Sequence, residues 1–145
     1  MITTEIFHYG ANKYFQEIQA GIDGRQNAEV RLKLFVDRAI SIIGEHSDFF
    51  KIYIEFLAKE AERIDAKEMI TSFYDKYIGT LADIIRQGIN EGSFRQVEAD
   101  KLARAIYFLS IGVIFTRFVM KVEFDLEDQN HFQINSIVDS IKKHA

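Results

Sequence analysis

Few residues in this sequence have the type and spacing that catalysis or metal binding requires. Glu5 and His8 stand three residues apart, the spacing by which helical di-iron carboxylate proteins bring a glutamate and a histidine to one metal. Such a site needs two of these motifs and glutamates from two further helices, whereas this sequence offers one motif, close to its beginning. The sequence therefore does not predict a di-iron enzyme.

The other reactive residue types also lack a catalytic or cofactor-binding pattern. The sequence has no cysteine, which excludes disulfides, thiolate nucleophiles and zinc sites with cysteine ligands. His46, His131 and His144 have no second histidine at metal-ligand spacing. No Gly-x-Ser-x-Gly, P-loop or dinucleotide-binding motif is present. We therefore predict that the chain is not an enzyme and uses no metal or cofactor.

Aromatic side chains with polar tips indicate a different chemistry, the binding of a small molecule. Pockets for such ligands are lined mostly by apolar and aromatic side chains together with a few polar groups. Each aromatic residue could equally be ordinary core, and the arginine among them could bind an anionic effector or pair with a neighbouring carboxylate. The candidate ligand-binding residues are Phe35, Tyr53, Phe56, Tyr74, Tyr77 and Arg117.

The composition favours long helices as the elements that position these residues. The 145 residues include no proline and eight glycines, and 48% of them are hydrophobic, which suits a folded helical protein better than a sandwich of short strands. Apolar residues recur with helical spacing in six segments. These lie near 4–22, 27–45, 48–64 and 66–91, from 98 onward, and near 128–144. We expect Asn27 to cap the second segment. We predict an all-α fold, a six-helix bundle that forms one domain over residues 1–145.

The fifth predicted helix is apolar on two faces. Its expected core face comprises Leu102, Ala105, Ile106, Leu109, Val113 and Met120. A helix that is apolar on both faces is buried on both sides, so we predict that the second face meets another subunit, although the sixth helix alone could also cover it. In the predicted homodimer, the last two helices and their two-fold copies form a four-helix interface. Its residues are Tyr107, Ile111, Phe115, Phe118, Val122, Ile134, Ile137, Val138 and Ile141.

The stretch INEGSFRQVEADKLARAIYFLSIG, residues 89–112, carries a recognisable break between two helices. The fourth helix ends in Gly-x-x-x-Gly-x-Phe-Arg, and a Val-Glu pair, an acidic residue and an apolar helix with a central glycine follow. The residues of this pattern are Gly88, Gly92, Phe94, Arg95, Val97, Glu98, Asp100, Leu102, Ala103 and Gly112. The pattern resembles one that recurs in the TetR (tetracycline-repressor-like) family of transcriptional regulators. We expect Gly92 at the helix C′ position and Phe94 folded back as an apolar plug.

Other segments fit the same resemblance. TTEIFHYGANKYFQEI, residues 3–18, looks like the long helix that joins the family's DNA-binding head to its regulatory body. Residues 28–61 resemble the next two helices, which meet here at Glu45, His46 and Ser47 without the proline that is usual in the family. The helix-turn-helix head of the family has no counterpart in these residues, so we expect either a truncated piece or a headless relative.

The resemblance implies the effector-binding and dimerisation body of a bacterial, cytoplasmic regulator. In such a body a small apolar or amphipathic ligand enters each subunit and shifts the helices, which controls DNA binding by a head outside this chain. The alternative is a headless, stand-alone ligand-binding or interaction module. A net charge of −4 predicts that the chain itself does not bind DNA. No signal peptide is visible, and the apolar run 105–120, interrupted by Arg117, is shorter than the roughly 20 residues of a membrane span, so no membrane partner is predicted.

Overall fold

The computed structural model describes residues 4–22, 24–60 and 64–143. This part of the chain contains six α-helices and no strand, which confirms the predicted all-α fold. Residues 61–63 and 144, which the predictions placed in the third and sixth helices, lie outside the described residues. A π-helical turn, Phe115–Val119, continues the fifth helix. The helices are α1 (Thr4–Ala20), α2 (Ala28–Glu45), α3 (Ser47–Glu60), α4 (Ile64–Glu91), α5 (Ala99–Ile114) and α6 (Leu126–Ile141).

Short polar side chains begin α2 and α6. The Asn27 side-chain oxygen accepts a hydrogen bond of 2.9 Å from the backbone N–H of Val30. The Asp125 carboxylate does the same, at 2.9 Å, for the backbone N–H of Asp128. Each cap satisfies one of the N–H groups that a helix leaves without an internal partner. The cap at Asn27 is confirmed, whereas α6 begins earlier than predicted because Asp125 caps it.

The fourth helix is the centre of the bundle. It contacts α1, α2, α3 and α5, and α6 packs against α2 and α5. The core between these helices is apolar and contains most of the large side chains that are fully shielded from water. The largest of these are Phe35, Phe94, Leu32, Ile40, Leu81, Ile84, Ile85, Ile106, Ile134 and Ile141.

The break after α4 has the geometry that the Gly-x-x-x-Gly-x-Phe-Arg pattern predicts. Gly92 adopts a φ of +82°, in the left-handed region that favours glycine. The N–H of Gly92 donates to the carbonyl of Ile89 at 3.1 Å, and the N–H of Ser93 donates to that of Gly88 at 2.9 Å. These two bonds define a Schellman motif with Gly92 at C′. The Phe94 ring folds back onto Gly88 so closely that a Cβ there would collide with it, and Phe94 is 2% exposed.

The residues after the break also close the C-terminal end of α6. The backbone N–H of Arg95 donates to the carbonyl of Ile141 at 2.8 Å, and its Nε donates to that of Ser140 at 3.1 Å. The N–H of Lys143 donates in return to the carbonyl of Ser93 at 2.9 Å. A guanidinium group at the end of a helix satisfies free carbonyls and complements the helix dipole. The Phe-Arg pair therefore joins the end of α4 to the end of α6, a role that the sequence did not reveal.

The fifth helix is apolar on two faces, but the core face differs from the predicted one. Leu109 and Met120, expected in the core, are 43% and 60% exposed, and Ala105 is also exposed. Apolar residues surround almost the whole circumference of α5, so their spacing alone does not determine which side turns inward. The buried residues of α5 are Ala99, Ala103, Ile106, Ser110, Val113 and Ile114.

The fifth helix and its π-helical turn form a continuous apolar element. This element, Ala99–Val119, has 21 residues, which by length and composition alone is enough to cross a membrane. The expectation from the sequence concerned the shorter run 105–120, and the helix is longer because it begins at Ala99. Its length and composition are weak evidence for a membrane span, because the core helix of a soluble protein has the same properties. The element packs against α4 and α6 along one side, while most of its residues are not buried inside the subunit.

Candidate functional site

The candidate site is a partly open cavity of about 190 Å³ between the first five helices. Each of these helices contributes apolar or aromatic side chains to its wall, and α1 and α4 contribute several aromatic rings. The predicted ligand-binding residues lie on α2 to α4 and in the turn after α5, so α1 is an additional wall. The lining residues are Ala11, Tyr14, Phe15, Ile18, Ala39, Ile40, Ile43, Phe50, Tyr53, Ile54, Leu57, Ile70, Phe73, Tyr74, Tyr77, Tyr107, Ser110, Ile111 and Ile114.

The structure brings three of the six candidate ligand-binding residues together. Tyr53 of α3 and Tyr74 and Tyr77 of α4 all line the cavity. They reach it because the aromatic stripes of α3 and α4 turn toward α1 and α5. Their role in ligand binding stays a prediction, but their position is the one that such a role requires.

The other three candidates lie away from the wall. Phe35 is fully buried behind the Tyr77 ring, with 5.0 Å between the ring centroids, and so belongs to the core. Phe56 packs on Phe7 of α1 with a centroid separation of 4.4 Å. The Arg117 guanidinium pairs with the Glu123 carboxylate at 3.4 Å, the carboxylate alternative that the sequence left open.

A cluster of hydroxyl groups occupies one side of the cavity, where α4 faces α5. Tyr77 of α4 and Ser110 of α5 both line this side of the cavity. The Tyr107 ring lies 5.5 Å from the Tyr77 ring and 5.2 Å from the Tyr74 ring. Burial raises the pKa of Tyr53 to about 12, with a smaller contribution from Tyr107. Burial likewise raises the pKa values of Tyr77 and Tyr107. These phenols are therefore neutral hydrogen-bonding groups at physiological pH.

Tyr107 and Ser110 are two of the cavity residues that the sequence did not assign to a ligand site. Tyr107 was predicted at the dimer interface, but its ring packs inside the subunit on Tyr74 and Tyr77. Ser110 is 6% exposed and is a polar residue in the buried face of α5. A serine in an otherwise apolar helical stretch is the sequence signal that could have indicated a buried polar contact.

The charge of the side chains at the wall limits which ligands the cavity can bind. None of the residues that line the cavity in the described part of the chain is an aspartate, glutamate, lysine, arginine or histidine. The polar groups at the wall are hydroxyls, namely those of Ser110 and of the tyrosines. The cavity is therefore suited to an apolar molecule with a polar group, held without ionic contacts.

The residues predicted at the dimer interface divide into two groups. Ile134, Val138 and Ile141 of α6 are at most 2% exposed because they pack inside their own subunit, so they have no surface left for a partner. Ile137 and Phe118 are partly buried in the same subunit. By contrast, Ile111, Phe115 and Val122 are each about 45% exposed: their values are 44%, 45% and 45%.

Large apolar side chains that the sequence reasoning did not assign to an interface cover the outer side of α5 and α6. Phe108 is 60% exposed, Phe132 of α6 is 68% exposed, and Leu109 and Met120 are exposed as given above. Phe108, Leu109 and Gly112 line a shallow groove between the two helices, together with Gln129 and Gln133 of α6. We call Phe108, Leu109, Met120 and Phe132 the outer apolar face. Soluble monomers rarely leave such a patch in water.

Comparison with known families identifies the architecture. Residues 28–138, more than half of the chain, match the model of the tetracyclin repressor-like C-terminal domain. The comparison with curated proteins gives no match. The matched residues begin with α2, include the whole break at Gly92, and end within α6. Domains of this family are in general the ligand-binding and dimerisation bodies of transcriptional regulators. The chain belongs to the tetracyclin repressor-like (TetR) family, as its C-terminal regulatory domain.

Proposed function

We propose that the chain binds a small-molecule effector in the cavity that helices α1 to α5 line. We also propose that it forms a homodimer, which controls DNA binding by a head outside these residues. One observation carries this proposal: the cavity wall includes both α1 and α5. By the family resemblance, α1 leads toward the head, and the outer apolar face lies partly on α5. A ligand in this position contacts the two helices through which the distance between the two DNA-binding heads of the dimer can change.

The contacts of α1 support such a transmission. Four residues of α1, namely Ala11, Tyr14, Phe15 and Ile18, line the cavity. At the end of the same helix, the Arg38 side chain donates hydrogen bonds to the carbonyls of Glu17 and Ile18, the latter at 3.1 Å. The C-terminal end of α1 is thus attached to α2, whereas its middle rests on the ligand space. A ligand that fits one position of α1 better than another shifts the population toward that position.

The outer apolar face supports the dimer. Four large side chains on α5, on the segment after it and on α6 are more than two-fifths exposed in the subunit. A two-fold copy packed against this face would bury them in a four-helix arrangement, as expected from the sequence for these helices. The revised interface adds these four residues to the predicted Ile111, Phe115 and Val122, which are also exposed, and it leaves Tyr107 to the cavity.

Ligand binding to the chain tests this function directly. A thermal-shift screen with small apolar compounds measures the stabilisation, which is about 2.7 kcal/mol for a ligand at 100 times its dissociation constant. Ala11→Leu replaces a methyl group at the cavity wall by an isobutyl group and should abolish the thermal shift. Ala20→Leu, at an exposed position of the same helix, should leave the thermal shift intact. The proposal fails if no compound stabilises the wild type, or if both variants respond as the wild type does.

A further inference from the structure

We infer that the effector is an uncharged molecule about the size of one substituted six-membered ring, with one hydroxyl or carbonyl group that binds to the hydroxyl cluster of Tyr77, Ser110 and Tyr107. This inference rests on the proposed function, because it assumes that the cavity is the effector site. It narrows the ligand from any apolar or amphipathic compound to one chemical class.

The charge of the ligand follows from the wall. No lining residue in the described part of the chain carries a charge, so neither a carboxylate nor an ammonium group would find an opposite charge there. A buried ion without a partner loses far more hydration energy than neutral hydroxyls return. Arg117, which was a candidate for an anionic effector, is paired with Glu123 outside the cavity. An uncharged ligand avoids this loss.

The polar group of the ligand follows from the hydroxyl cluster. Ser110 and Tyr77 line the same cavity from facing helices, and a hydroxyl can donate one hydrogen bond while accepting others. The Tyr107 ring stands edge-on to Tyr74, at 89° between the ring planes. Tyr77 of α4 and Tyr107 of α5 thus belong to neighbouring helices and line the same cavity. A single hydroxyl or carbonyl on the ligand can therefore be bonded there, while the remaining surface of the ligand meets apolar side chains.

The size of the ligand follows from the volume. The cavity has about 190 Å³. An engineered apolar cavity of about 150 Å³ binds benzene, whereas sites for drug-sized ligands have about 300–1,000 Å³. The present cavity thus fits a single ring with one or two small substituents. Larger compounds would have to displace wall residues or extend out of the open side of the cavity.

Four probes of similar size separate the contributions of charge and hydrogen bonding. These are p-cresol, toluene, benzoate and benzylamine, each titrated into the chain at neutral pH and followed by calorimetry and thermal shift. We expect p-cresol to bind most tightly, toluene to bind more weakly, and the two ions not to bind. Ala11→Leu should abolish the binding of both neutral probes, since it occupies their space.

Two conservative variants test the hydroxyl cluster. Tyr77→Phe and Ser110→Ala should each weaken p-cresol binding roughly fivefold to tenfold, which corresponds to about one hydrogen bond, and should change toluene binding much less. Tyr9→Phe, at a tyrosine that is 73% exposed on α1, is the matched control and should change neither. Equal losses for p-cresol and toluene in the Tyr77 and Ser110 variants would overturn the assignment of the hydroxyl cluster.

The outcomes also distinguish this inference from the proposed function. Binding of benzoate or benzylamine that Ala11→Leu abolishes would overturn the uncharged class but would support an effector site in the cavity. Binding of none of the four probes, with a larger compound found in the thermal-shift screen, would overturn the size and keep the function. No binding of any compound would contradict both.

Discussion

Replacing Phe108 by aspartate is the most direct test of the outer apolar face. Phe108 is 60% exposed in the subunit, so the substitution removes little from the subunit's own core. In the proposed dimer the side chain becomes buried close to the two-fold axis, and it occurs twice. The variant therefore separates dimerisation from folding, which a substitution at a buried position such as Ile134 cannot do.

The expected effect can be worked out from the exposed fraction. Full burial of a phenylalanine stabilises by about 1.5–3 kcal/mol, so the exposed 60% of Phe108 corresponds to about 1–2 kcal/mol, or about 2–4 kcal/mol for both copies. Two carboxylates in an apolar seam must in addition lose hydration or become protonated, at a cost of a few kcal/mol. A total of about 5 kcal/mol weakens dimerisation at least about a thousandfold, since each 1.4 kcal/mol is a factor of ten.

Sedimentation velocity over a range of concentrations measures this effect. The wild type should sediment as a dimer, while Phe108→Asp and Phe132→Asp should sediment as monomers with unchanged helical circular dichroism. Tyr9→Asp, which also introduces a charge at an exposed aromatic residue but lies on α1, should remain a dimer. If the two interface variants sediment as the wild-type dimer does, the outer apolar face is not the interface and the reasoning from exposure is wrong.

Further predictions concern the break, the cavity, the termini of the helices and DNA. Gly92→Ala should lower the free energy of unfolding by about 1–2 kcal/mol because alanine is strained at the φ of +82°. Gly79→Ala should raise it by about 0.5–1 kcal/mol, because Gly79 lies in the middle of α4 with free space around its Cα. Denaturant titration measures both changes, and changes of equal sign would contradict the explanation. The pKa values of Tyr53, Tyr77 and Tyr107 are raised above the usual 10.0, so the neutral phenols stabilise the fold below pH 10, and this contribution is lost as the pH rises through the folded-state pKa values. Tyrosinate absorbance from these residues should therefore appear together with loss of helicity. Its appearance in the intact fold near pH 10 would refute their burial. The Lys142 ammonium lies 3.0 Å from the Glu29 carboxylate and lowers the pKa of that carboxyl. The stability that the pair contributes is therefore present above about pH 4.5 and is lost as the pH falls through the folded-state pKa. Glu29→Gln should reduce the difference in stability between neutral and acid pH by a few tenths of a kcal/mol, and an unchanged difference would show that the pair is not formed in solution. The chain alone, with its net charge of −4, should show no site-selective binding to duplex DNA in a fluorescence titration at physiological salt, and nanomolar selective binding would contradict this.

The local signals of the sequence predicted the fold well. The left-handed glycine at position 92, the fold-back of Phe94 and the cap at Asn27 each depend on residues that are close in sequence, so their types determine the geometry. The tyrosine stripe of α4 also predicted a wall, because Tyr74 and Tyr77 are three residues apart and share a helical face. These features need no knowledge of how the helices are arranged.

The rotation of α5 could not be predicted in the same way. Apolar residues surround this helix, and the two faces differ in what they contact rather than in how apolar they are. Phe108 and Leu109 are as hydrophobic as Ile106 and Val113, yet the first pair lies on the surface and the second in the core. The choice depends on how the buried side chains of α5, among them the small Ala99, Ala103 and Ser110, fit into the core, which is a property of the packed helices and not of the spacing.

The same rotation places α5 between the two sites of the proposed function, the cavity and the outer apolar face. Tyr107 contacts the cavity and Phe108, the next residue, lies on the outer apolar face, because successive side chains of an α-helix point about 100° apart. A ligand that displaces Tyr107 by turning or sliding α5 must also move Phe108, since both are attached to one rigid backbone. By thermodynamic linkage, any factor by which the ligand changes the dimer dissociation constant is also the factor by which dimerisation changes the ligand affinity. In the proposed dimer, α5 therefore links the cavity of each subunit to the interface, so that ligand binding and dimerisation are expected to influence each other.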